Sequence, residues 1–203
     1  MKSSSYPPPT KAFAGKLRRG SSFWLLSLLV LAACGSTPER FYTLSSAPSP
    51  VTASSSSPSV FVGPVSVPEA VDRSPMVMRS GPNQVDIEEF HRWAEPLKTA
   101  IPRVIAENLM RELRTTRVLA SRQASSGAFD YRVAVDVTRF ESSLDAGAAL
   151  EATWTITPGK GSPARTGRTV ARESAASRSH EGVAAAHSRA LETLAREIAA
   201  AIK

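Results

Sequence analysis

The side chains of this sequence best suited to chemistry are one cysteine, Cys34, three histidines, His91, His180 and His187, and three carboxylates near His91, namely Glu88, Glu89 and Glu95. None stands in a spacing that a familiar reaction requires. There is no HExxH run, no GxSxG elbow, no glycine-rich loop followed by Lys, and no CxxC pair. A lone thiol cannot close an internal disulfide, so the fold must stand on its core. His187 lies on an apolar stripe, where a packed core histidine is the simpler reading, and the glutamates beside His91 read as a solvated face. We therefore expect no catalytic residue, no metal ion and no cofactor beyond what modifies Cys34. Phe90 and Trp93 stand between a strand pattern and a helix pattern. Either they cap the core, or they form an exposed contact for a partner protein or acyl chain, since aromatics concentrate at interface hot spots.

The 203 residues carry 25 basic and 18 acidic side chains, a formal charge of +7. Lys2, Lys11, Lys16, Arg18 and Arg19 precede Cys34 with no acidic residue among them; subtracting these five from +7 leaves only +2 for the rest. A phosphate-binding surface is not indicated, and nucleic acid is not an expected partner. After Arg19 comes an uncharged apolar block, Phe23 to Ala33. As a helix it covers about 16 Å of a hydrocarbon layer about 30 Å thick, which suits the h-region of a secretory signal rather than a membrane span. The block ends Leu31-Ala32-Ala33-Cys34. This resembles the lipobox of bacterial lipoproteins, which implies cleavage between Ala33 and Cys34, a diacylglyceryl group on the thiol and an N-acyl chain on the freed amine. Gly35 follows where an Asp commonly retains lipoproteins in the inner membrane, so the resemblance implies an outer-membrane anchor facing the periplasm.

Residues 1–33 are thus expected to be a signal peptide and 34–59 a lipidated N-terminus with a Ser/Pro-rich tether. From Ser45 to Ser59 the chain reads SSAPSPVTASSSSPS, with too little apolar bulk to offset its ordering entropy. The preceding Phe41-Tyr42-Thr43-Leu44 has strand propensity, and propensity alone leaves open whether it is a detached stretch or a strand docked on the domain.

Residues 60–203 alternate between periods of 2 and 3.6, the mark of one α+β domain. Val60, Val62, Val65 and Val67, interrupted by Gly63-Pro64, suggest a bent edge strand. Met76 to Met78 and Gln84 to Ile87 flank a turn and read as a hairpin. Strands over Phe129–Val137, Leu150–Ile156 and Arg168–Glu173 read as three consecutive antiparallel strands. Leu97, Ile101, Val104, Ile105, Leu109 and Leu113 make one helical stripe, with Pro102 either kinking the helix or starting it. Val183, His187, Ala190, Leu191, Leu194, Ile198 and Ile202 make another, with Ser179 as its cap. The expected architecture is a mostly antiparallel sheet with two helices packed on one face, in the order βββ-α-βββ-α.

LAAC at the end of the leader, FYTL shortly after it, VFVGPVSVPEAVDRSPMVMR, RWAEPL and AIPRVIAENL together resemble the ABC-type transport auxiliary lipoproteins, the PqiC family. The resemblance covers nearly all of the mature chain and is most specific from Val60 through Leu109. It implies a non-enzymatic subunit of an MCE-type lipid transport system. Such a subunit docks the periplasm-spanning MCE protein, which works with an inner-membrane transporter, and so helps maintain envelope integrity. An accessory lipoprotein for an outer-membrane channel is the alternative, and open strand edges could also mediate homo-oligomer formation.

Overall fold

The computed structural model describes residues 37–47, 57–120 and 127–203. The expected signal peptide, with Ala33 and Cys34, and the middle of the Ser/Pro-rich segment lie outside these residues.

A long hairpin is the spine. β6 (Tyr131–Ser143) and β7 (Gly147–Pro158) pair in antiparallel register from Tyr131↔Pro158 to Ser143↔Gly147. Their inward positions alternate as the sequence requires: Val133, Val135 and Val137 on one strand face the core with Leu150, Ala152, Trp154 and Ile156 on the other. The turn fixes the register. Gly147 has φ +84°, and a Cβ there would lie 2.1 Å from the Glu173 carbonyl oxygen, so glycine is required. β8 (Arg165–Glu173) continues the meander antiparallel to β7.

The other edge of β6 is shared by two strands. β2 (Val60–Ser66) pairs with its first half in parallel, and β3 (Pro75–Gly81) meets it at Met78↔Ser142. β5 (Val118–Ala120) adds to β2 in parallel. β4 (Gln84–Trp93) returns antiparallel on β3, and β1 (Arg40–Tyr42) adds to β4 in parallel.

The domain is α+β as the periodicities require, but the sheet is mixed rather than mostly antiparallel, and the order is ββββ-α-ββββ-α. β2 is not an edge strand, because β5 and β6 flank it. Local periodicity does not report the direction of a neighbour. The usable signal was Val60-Phe61-Val62, three consecutive apolar residues buried on both faces, as an interior parallel strand requires. Gly63-Pro64 sits where the β2–β6 register shifts, so the proline's missing donor falls in an interruption of the ladder.

Helix α1 (Leu97–Glu112) packs on β2 and β5, while α2 (His180–Ile202) packs on β7 and β8 and against α1. Both stripes read from the sequence are buried, and burial of each Leu or Ile contributes roughly 1.5–3 kcal/mol. α1 begins at Leu97 and continues through Pro102. α2 is capped as expected, the Gly182 amide donating to Ser179 Oγ at 3.0 Å.

His187 is fully buried on α2, stacked on Phe140 with centroids 3.8 Å apart, its Nε2 hydrogen-bonded to Ser142 Oγ at 2.8 Å. Burial pushes its pKa from 6.5 down to about 3. Between those values the unfolded chain takes up a proton that the folded one refuses, so this contribution to stability is complete above pH 6.5 and falls as pH drops toward 3. Urea unfolding measured from pH 7.5 to 4 should therefore show stability declining with acid, and His187→Gln should flatten that decline.

Candidate functional site

β1 is short, yet it is held by several independent bonds. In register it sets Arg40 beside His91, Phe41 beside Arg92 and Tyr42 beside Trp93. The Ala94 amide donates to the Tyr42 carbonyl at 2.8 Å. Beyond the strand, Leu44 is buried in the core. Its carbonyl accepts from Arg103 of α1 at 2.9 Å, the Ser45 amide donates to Ser188 Oγ of α2 at 3.1 Å, and Ser46 Oγ donates to Glu107 at 2.8 Å. Of the two readings of Phe41 to Leu44, the docked one holds. On the far side of the Ser/Pro-rich segment, Ser57 Oγ donates to the Arg114 carbonyl at 2.8 Å and Ser59 bonds Asp130, so both described ends of that segment are fastened to the domain. The amide and hydroxyl of Ser59 hold the Asp130 carboxyl below its ordinary value.

Docking of β1 assembles a ring cluster at the N-terminus of α2. The Tyr42 hydroxyl and His91 Nδ1 share a hydrogen bond of 2.7 Å. His91 stacks on His180, the first residue of α2, with centroids 3.6 Å apart and planes 9° from parallel. His180 Nε2 lies 3.8 Å from a Glu88 carboxylate oxygen. Burial, with His91 adding to it, lowers the His180 pKa against the opposing pull of Glu88, so the imidazole favours its neutral form. Burial raises the Tyr42 pKa. A cleft of about 530 Å³ opens beside the cluster, lined by Arg40, Tyr42, His91, Ser179, His180 and Glu181 among others.

Two turns along α2, His187 makes a second layer. Trp93 meets both Phe140 and His187 edge-on, each at 6.1 Å between centroids. Thus the two aromatics singled out in the sequence part company. Trp93 is 5 % exposed and belongs to the core, whereas Phe90 is 46 % exposed and stands in solvent. Both stand on β4, an odd number of residues apart, so alternation along the strand sets them on opposite faces. Sequence reading did not bring Tyr42, Glu88, His91 and His180 together. One available signal was the seven-residue interval between His180 and His187, which places both on one face of a helix.

With this geometry in place, comparison with known sequences is informative. The family described as the ABC-type transport auxiliary lipoprotein component matches residues 42–199, from the end of β1 through most of α2. The chain belongs to that family. No curated protein sequence matches this auxiliary lipoprotein component. Among solved structures, the crystal structure of an uncharacterized protein superposes with a TM-score of 0.63 at 17 % identity, covering 82 % of this chain and all of that one. A Xanthomonas campestris protein of family DUF330 gives 0.59 at 20 % identity, covering 78 % and 91 %. Both show the fold of the auxiliary component and nothing of its partners. Among the described residues, no helix is long and apolar enough to cross a membrane.

Trp93→Ala should lower unfolding stability by about 3–5 kcal/mol, as expected for emptying a buried indole site, while Phe90→Ala should change it by less than about 0.5 kcal/mol. Urea denaturation of the two variants checks this; equal losses would contradict the separate placements.

Proposed function

We propose that this auxiliary lipoprotein is the outer-membrane subunit of an MCE-type lipid transport system. It is anchored through lipids on Cys34, faces the periplasm and docks the periplasm-spanning component, so that lipid traffic and envelope integrity depend on it. The observation that carries this reading is the family match across residues 42–199, which makes the chain a component of an ABC-type transport assembly.

The docked β1 supports it physically. Arg40 stands six residues after Cys34 in the sequence, and six extended residues reach about 20 Å, so the domain works on a short leash. Several acyl chains, at about 0.8 kcal/mol per buried methylene, make such an anchor effectively permanent. Most of the exposed large apolar side chains stand on two paired strands, Phe41 on β1 and Val85, Ile87 and Phe90 on β4, against single ones on β5 and β8. Phe41 and Phe90 are the contacts we assign to the partner, because exposed aromatics supply interface energy that charged surface does not.

Mild crosslinking in the native envelope, followed by purification, should recover an MCE-type protein, and Cys34→Ala should release the chain from the membrane. Combined Phe41→Ala and Phe90→Ala should reduce that recovery about tenfold, equivalent to about 1.4 kcal/mol, without unfolding the domain. Recovery of channel or cell-wall components alone would contradict the assignment.

A further inference from the structure

We propose that Glu88, His91 and His180 form a binding site for one divalent transition-metal ion of the zinc class. One ligand atom from each of the three side chains lies within 4.8 Å of the others. His180 Nε2 is buried and has no hydrogen-bond partner. Its distance of 3.8 Å to the Glu88 oxygen is too long for a hydrogen bond. Two ligand atoms of a four-coordinate zinc ion, each about 2.0–2.2 Å from it, stand about 3.4 Å apart, so the Glu88–His180 pair closes by about 0.4 Å and the widest pair by about 1.4 Å at most. The stacked rings of His91 and His180, 9° from parallel, turn on binding so that their lone pairs converge on the ion. All three side chains are partly exposed, which leaves them room to make that movement.

The surroundings suit a metal ion. The Tyr42 hydroxyl holds His91 Nδ1, leaving Nε2 as the ligand and supplying the orienting outer bond that metal-binding imidazoles usually have. Two imidazoles with one carboxylate select zinc, cobalt, nickel or copper over magnesium or calcium, which prefer all-oxygen shells. Three protein ligands leave one position open toward the cleft at the head of α2. Because Glu88 and His91 stand on β4 and His180 on α2, the ion ties the strand that carries β1 to the helix beside it. The site is independent of which partner the lipoprotein docks.

The test is cobalt titration of the mature lipidated protein in detergent after chelator treatment. One equivalent of Co²⁺ should give the intense visible bands of a four- or five-coordinate ion, Zn²⁺ should abolish them by displacement, and Tm should rise with metal concentration. Tyr42→Phe should weaken cobalt binding by about tenfold through loss of the orienting bond. His180→Ala should remove the bands. Should His180→Ala fail to fold, Glu88→Gln serves instead: its metal-free Tm should match the parent, and its cobalt affinity should fall at least about tenfold. Absence of bands up to millimolar cobalt overturns the proposal, as do bands that survive both Glu88→Gln and His180→Ala.

Discussion

The parallel pairing of a three-residue strand with β4 is the constraint on which the candidate site of this molecule depends. Three residues of ladder are weak by themselves. The strand is held because the chain continues into Leu44, which fills the core, and then into backbone bonds from Arg103 on one helix and Ser188 on the other. With β1 in place, Tyr42 reaches His91, the N-terminus of α2 is covered on one side, and the Ser/Pro-rich stretch is fastened to the domain at both described ends. Without it, β4 would be an open edge and the histidine pair would lose its orienting hydroxyl.

Beneath that site lies a core that local chemistry largely determines. The β6–β7–β8 meander alternates cleanly, and the two helical stripes meet over it in one cluster. Along α2 the two histidines do different work. His187, sealed between Phe140 and Trp93, behaves as a neutral polar core residue, while His180 at the helix start faces a second imidazole, a carboxylate and a cleft. One helix thus links the packed interior to the candidate site through a rigid two-turn spacing.

What was legible in the sequence was what short-range periodicity encodes: both helices, the Ser179 cap, the meander and the hairpin of β3 and β4. Strand direction was not, because β2 pairs with β5 and β6 across about 60 and 70 residues, and an alternating pattern is the same for either orientation of neighbour. β5, at three residues, is too short to show a period. Phe90 and Trp93 were not separated because the strand read from the sequence ends at Ile87, whereas β4 runs on to Trp93 and its alternation sets them on opposite faces. The ends of the Glu88–His91–His180 cluster lie 92 positions apart in the sequence and meet by tertiary contact, so a search for ligands at fixed local spacing passes over it.

The most direct test of this account is native-state hydrogen exchange of the backbone amides from 40 to 46 and at Ala94. A docked β1 predicts that the Ala94 amide, bonded to the Tyr42 carbonyl, exchanges together with the amides of the β3–β4 ladder and is strongly protected. Exchange of Ala94 and Ser45 at the rate of an unstructured peptide, with β3 and β4 still protected, would contradict the account, since β1 would then be free in solution.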